Sequence, residues 1–201
     1  MVFLTILALI LGILYGQSGI DISFLSVISS HSDFILYILM FSVGISIGLH
    51  EGLLAKLRQY HVKVLIIPFG IIIASVLGGV ICGLIIHYPI NISTAITSGL
   101  GWYSLAGATL GKLAGAEIGS IAFLSNLMRE IFSFLIIPFI AIKFNNYTCI
   151  APAAATSEDT TLSMLIKYTN EETVVLAVLN GIICSAFVPV LISFCYSLHL
   201  F

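Results

Sequence analysis

Residues 118–144 read IGSIAFLSNLMREIFSFLIIPFIAIKF, and they decide the fold class. The run is long enough to cross a bilayer, which takes about 20 residues of helix at 1.5 Å each. Its midpoint nevertheless carries Arg129 and Glu130 side by side. An ionisable side chain at the bilayer centre costs about 2.5–3.5 kcal/mol on insertion scales, so it persists where water, partners or function offset that cost. Asn126 and Glu130 stand at i, i+4, and Ser125, Arg129 and Ser133 form a second such row, which gives this helix a polar face that must look inward. Neighbours in sequence point about 100° apart on a helix, so Arg129 and Glu130 are not each other's only partners. A structural pair that neutralises itself is the bland alternative, and the inward polar row argues for a transport or binding role instead.

The rest of the 201-residue chain fits this reading. It is 60% hydrophobic and 8% charged, with a mean hydropathy of +1.19, more apolar than a soluble domain of this size can hide in a core. An integral membrane protein follows, with the lipid bilayer as its solvent. The net charge of -2 supplies no basic field for DNA or RNA. Cys82, Cys149, Cys184 and Cys195 form no C-x-x-C pair and three lie in apolar runs, so neither a metal, a cofactor nor a disulfide is expected. The start, MVFLTILALILGILYGQSG, lacks a basic leader region and reads as a first, short span rather than a cleaved signal.

Strong spans are expected at 2–15, 34–48, 64–86, 118–142 and 173–200. Between them lie two weak stretches, INISTAITSGLGWYSLAGATLGK (90–112) and CIAPAAATSEDTTLSMLIKY (149–168), rich in Gly, Ser, Thr and Ala. If both cross, there are seven spans. Lys56, Arg58 and Lys63 then mark the cytoplasmic side, Lys112 and Lys167 join them, and Lys143 alone lies outside, with the N-terminus in and the C-terminus out. Backbone interrupted by Gly or polar residues cannot face lipid, because its freed N–H and C=O groups would go unsatisfied. The expected fold is therefore an all-α polytopic bundle forming one transporter domain over 1–201, with two discontinuous helices packed inside a cage, as in many secondary transporters. In that map both weak stretches run from outside to inside, whereas inverted repeats would oppose them. Either one stretch is re-entrant, or the opposing half lies in residues outside this chain.

Within the weak stretches the chemistry is concentrated. Trp102 and Tyr103 sit beside glycines midway through 90–112 rather than in an interfacial belt, and Ser104 adds a hydroxyl. An aromatic wall there suits an organic cation, and plugging a helix crossing suits the same residues equally. In ATSEDTT (155–161), Glu158 and Asp159 have apolar sequence on both sides, which favours a break at depth over a surface loop. Glu130, Glu158 and Asp159 against Arg129 leave an excess of negative charge at depth, so the cavity favours a cation, or exchanges protons for one. Asn180 and Gly181 read as packing and interhelical hydrogen-bond residues.

Taken together, LYILMFSVGISIG, PINISTAITSGLGWYSLAG, IGSIAFLSNLMREIFSFLIIP, ATSEDTTL and AVLNGIICSAFVPVLI occur in the order of the lysine exporter family LysO, which the chain resembles over nearly its whole length. The resemblance implies an inner-membrane exporter of L-lysine, with a fold similar to transporters with crossing broken helices. It nominates Trp102, Tyr103, Ser104, Asn126, Arg129, Glu130, Thr156, Ser157, Asp159 and Thr160 as substrate- or ion-binding residues. Glu158 and Ser163 stand where the family more often has an apolar residue and a proline. By the resemblance, full-length members carry further residues before the segment matching Val2, including another set of spans, so a small membrane subunit or a second copy of this chain is an expected partner. Proton-coupled exchange, with Glu130 and Asp159 binding ammonium or proton and Arg129 repelling an empty-site cation or meeting the substrate carboxylate, is the resulting expectation. The alternatives are transport of sodium or another basic amino acid, an intramembrane enzyme, and a non-transporting subunit. No histidine lies deep in a span to act as a base, which weighs against an enzyme.

Overall fold

The computed structural model describes residues 2–18 and 53–198, together with Phe34, Ile38, Phe41 and Ile45, and the expected span at 34–48 otherwise lies outside the described residues. The chain divides into two compact units, Met1–Ser46 and Ile47–Phe201. In the first, α1 (Val2–Ser18) is a 17-residue apolar helix of about 26 Å. The second is built from α2 (Leu53–Ile86), α3 (Ile90–Thr97), α4 (Tyr103–Ala114), α5 (Ala116–Lys143), α6 (Ile150–Ala153), α7 (Leu162–Tyr168) and α8 (Glu171–Ser197). Short 3₁₀ turns, Asn146–Cys149 and Ala154–Glu158, flank α6. Among the described residues every regular element is helical.

Three helices are long and apolar enough to cross a membrane: Leu65–Ile86 of α2, and the whole of α5 and α8. The side chains of α5 sort by face as an embedded helix requires. Ile121, Leu124, Met128, Phe132, Leu135, Phe139 and Ile142 recur every three or four residues and are exposed, while Ala122, Asn126, Glu130, Ser133 and Ile137 are buried on the other side. Of the polar face read from the sequence, Asn126, Glu130 and Ser133 therefore face the protein interior, Arg129 is half-buried and Ser125 is exposed.

The two weak stretches do not run straight. Tyr196, near the end of α8, donates its hydroxyl to the Leu113 carbonyl at 2.8 Å and accepts at its own carbonyl from Asn91 Nδ2 at 3.3 Å. Asn91 opens α3 and Leu113 closes α4, yet one residue touches both, where a straight helix would part them by about 33 Å. Ile121, just past the α4–α5 turn, also lines a cavity of about 190 Å³ with Ile86 and Tyr88, which mark the end of α2. Residues 90–114 thus leave one end of the unit and return to it. The return is closed at Gly115 (φ 95°), and α4 lies tight on α5, where a Cβ on Gly119 would meet the Gly111 Cα at 2.5 Å.

α8 runs in the opposite direction to α5, with the hairpins packed against both. Its far end meets Leu113, close to where α5 begins, and its 27 residues span about 40 Å, so Glu171 lies at the end where α5 finishes. Residues 144–170 join those two neighbouring ends and therefore form a second returning hairpin, entered from the opposite side. The expectation that both weak stretches run the same way is corrected: they oppose each other within this one chain. A Gly- and Ser-rich stretch bends at its breaks, and the long helices on either side hold it folded back.

Candidate functional site

The two hairpin tips meet. The Ala155 N–H donates to the Leu100 carbonyl at 3.1 Å, joining residues 98–102 between α3 and α4 to the 3₁₀ turn after α6. Leu100 (φ 51°) and Ala154 (φ 50°) occupy left-handed backbone, as does Gly101 (φ 95°). For a non-glycine residue this conformation costs about 1–2 kcal/mol, and it persists only where the surroundings over-determine it.

At the first tip the determining side chain is Asn126. It is 3% exposed, donates from Nδ2 to the Ile96 carbonyl at 2.9 Å and accepts at Oδ1 from the Gly101 N–H at 2.9 Å. Those are backbone groups that a helix break frees and that the interior must satisfy. Trp102 follows as the residue before α4, half-buried, with its N–H on the Gly99 carbonyl. Tyr103 packs edge-on against Phe123 of α5, with centroids 5.2 Å apart, and Ser104 is exposed. The three residues nominated from the sequence are thus at the tip, and Tyr103 is engaged by α5.

The second tip is held from both α5 and α8. Arg129 donates from Nη1 to Ser75 Oγ of α2 at 2.9 Å, and from Nε and Nη2 to the carbonyls of Pro152 and Ala151 at 3.4 Å. Ser133 Oγ adds a 2.7 Å bond to Pro152 O. A guanidinium at the last carbonyls of a short helix satisfies groups that have no intrahelical partner. Thr156 Oγ1 bonds Ala153 O at 2.8 Å and lies 3.2 Å from Thr161 Oγ1, while Ser157 Oγ reaches Ala177 O of α8 at 2.6 Å. Asn180 donates from Nδ2 to Ala154 O at 2.8 Å and to Ser157 Oγ at 3.0 Å.

The acidic residues part to different sides. Glu158 leans on α8, where Ser185 Oγ donates to its Oε1 at 2.8 Å and Gly181 leaves it room: a Cβ there would fall 2.6 Å from the Glu158 N and Cβ. Asp159 turns back on itself, its Oδ1 accepting from the Thr160 N–H and from Thr160 Oγ1. Glu130 is 1% exposed, and neither carboxylate oxygen has a hydrogen-bond donor among the described residues. Thr160 and Asp159 are the polar groups that act on it from the second tip. The arrangement therefore brings Asp159 and Thr160 near Glu130, while Glu158, also within electrostatic reach of Asp159, is bonded to Ser185.

Five polar contributors were not nominated from the sequence: Ser75, Ser133, Thr161, Asn180 and Ser185. Asn180 offered a signal, since a polar residue in a run as apolar as VVLAVLNGIIC stands out as Asn126 does in α5. Among the described residues no three His, Cys, Asp or Glu side chains gather as metal ligands.

Comparison with known proteins places this geometry in context. The family model described as "Lysine exporter LysO" matches residues 6–196. Lysine exporter LysO of Escherichia coli (strain K12) is 35% identical over 185 residues, covering 92% of this chain and 60% of that protein. A putative lysine exporter of Haemophilus influenzae is 32% identical over 187 residues, covering 93% of this chain and 94% of that protein. The chain thus spans about three fifths of the first relative and nearly the whole of the second. No solved structure matches it.

Proposed function

The chain belongs to the lysine exporter LysO family, and from that premise we propose that it is a transporter domain over residues 1–201 that moves L-lysine out of the cytoplasm in exchange for protons. The observation that carries the reading is Glu130: a carboxylate buried to 1% exposure, with no donor among the described residues, beside Asp159 and Thr160 where two hairpin tips meet. A buried carboxylate without a partner is costly in its charged form. A proton or the side-chain ammonium of lysine neutralises it equally well, and not both at once. Competition for one carboxylate is the simplest basis for exchange. Trp102, Tyr103, Ser104, Thr156, Ser157, Asp159 and Thr160 line or build the two tips around it. Asn126 and Arg129 hold backbone groups there, so their part is to shape the site.

In the proposed topology α2, α5 and α8 cross the inner membrane while α3–α4 and α6–α7 are re-entrant hairpins, irregular backbone being tolerated at depth only inside protein or beside water. Lys56, Arg58 and Lys63 near the start of α2, with Lys143 and Lys167, fall at one end, and Lys112 alone at the other. The five-cation end is cytoplasmic by the positive-inside rule, which leaves the C-terminus outside. The N-terminus is cytoplasmic if the apolar stretches at 2–15 and 34–48 both cross.

Radiolabelled lysine flux in proteoliposomes is the test. An inward-directed proton gradient is expected to drive lysine the opposite way, and collapse of the gradient to return flux to the passive level. Lysine flux indifferent to the gradient would remove the proton coupling, and sodium or another basic amino acid moving in its place would favour the nearest alternative.

A partner is also proposed, because interrupted backbone at membrane depth must be enclosed by protein or line water. A small membrane subunit or a second copy of this chain is expected to co-purify in mild detergent. A monodisperse monomer with full transport would rule it out.

A further inference from the structure

The hairpin α3–α4 is followed by α5, and the hairpin α6–α7 by α8, in opposite orientation. Asn126 is the eleventh residue of α5 and Asn180 the tenth of α8. Both amides are buried, at 3% and 0% exposure. Each reaches back to the tip of the hairpin just before it: Asn126 to Ile96 O and Gly101 N, and Asn180 to Ala154 O and Ser157 Oγ. Each tip contains one non-glycine residue in left-handed backbone, Leu100 or Ala154, and one backbone hydrogen bond joins the two.

The geometry points to Asn126 and Asn180 as matched positioning residues, each latching one hairpin tip shut against the end from which that hairpin enters. Strained backbone at a functional site persists only while its neighbours hold it. The asparagines add hydrogen bonds from the long helices to tips whose own bonds, Gly99 N–H to Ile96 O and Ser157 Oγ to Ala154 O, stay within the hairpin. Because the hairpins enter from opposite ends, loosening one tip opens a path to one side only. Two such latches in inverted order are what alternating access across a fixed midplane site requires. The inference rests on the proposed re-entrant reading of the hairpins and is independent of which cation is carried.

Sided thiol labelling tests it without a transport assay. With the exposed thiol removed by Cys82→Ser, Thr160→Cys serves as a reporter between the tips, while Cys149, Cys184 and Cys195 are buried. A membrane-impermeant maleimide is applied from either face of sealed, oriented vesicles. Asn126→Asp, which turns a donor against Ile96 O into an acceptor, is expected to raise labelling roughly tenfold from the face at which α3 begins, and to leave the other face within about twofold. Asn180→Asp is expected to do the reverse. A rise from the same face in both variants, or rates unchanged by Asn180→Asp, would overturn the pairing. Unfolding reports itself as labelling of Cys149, resolved from the other thiols by peptide mass because Cys195 touches Ser98 of the first tip and Cys184 touches Asn180, and Asn126→Ser and Asn180→Ser are then scored by the same criterion. Lysine flux enters nowhere in the readout, so failure of the lysine reading and failure of the latches are distinguishable.

Discussion

Glu130→Gln is expected to reduce lysine flux by roughly 100-fold or more while leaving folded protein in the membrane. Removing one partner of a buried charge pair typically costs about 3–5 kcal/mol, which exceeds two factors of ten. Glutamine keeps the size and planarity of the side chain, so the packing of α5 against the second tip is preserved. No hydrogen bond to either carboxylate oxygen is forfeited among the described residues, because none is made. Removing a potential charge from a site 1% exposed also lowers the desolvation cost of folding. The variant should therefore match the parent in thermal stability in detergent and differ in counterflow of labelled lysine. Normal counterflow in Glu130→Gln would sink the assignment, and a large loss of thermal stability would recast Glu130 as structural.

What the sequence made legible was periodic. The exposed and buried faces of α5 follow from residue spacing, and the three long helices from length and apolarity. The positions of the two breaks were also legible, from Gly, Ser and Thr in otherwise apolar surroundings. Their direction was not. A stretch of 23 residues is long enough to cross or to turn back, and hydropathy has no sign for direction. Charge counting could not arbitrate either. With both stretches crossing, Lys143 alone falls on the far side; with both returning, Lys112 alone does, and five cations share the near side in each case. Two side-chain bonds to Tyr196, made between residues more than eighty positions apart, separate the two maps. No local pattern encodes them.

Arg129 illustrates a second limit. Its charge at mid-helix marked it from the sequence, but its partners are the Ser75 hydroxyl and two carbonyls at the end of a four-residue helix. Such carbonyls are anonymous in a sequence, since every residue carries one. Asn126 and Asn180 are similar: their chemistry is visible, and the backbone atoms they serve are not.

The neighbouring acids of the second tip allow a sharper test. Asp159→Asn is expected to lower lysine flux tenfold or more, and Glu158→Gln by about threefold or less. The two carboxylates leave the 3₁₀ turn in different directions. Glu158 lies against Gly181 with Ser185 Oγ donating to it, and a glutamine carbonyl accepts that bond as well, so the contact with α8 survives the substitution. Asp159 lies within electrostatic reach of both Glu130 and Glu158, but it is Thr160, bonded to Asp159 Oδ1, that also faces Glu130, whereas Glu158 is held by Ser185. Two carboxylates that sense each other bind a cation or a proton more strongly together than either does alone. Removing the Asp159 charge weakens that shared attraction directly, and about 1.4 kcal/mol of lost attraction accounts for each factor of ten. Parallel flux measurements on the two variants, normalised to protein reconstituted, decide the matter. Equal losses would mean that Glu158 also faces the transported cation. A greater loss from Glu158→Gln would move the site from the α5 side of the tip to the α8 side, with Ser185 in place of Thr160 as the accompanying hydroxyl.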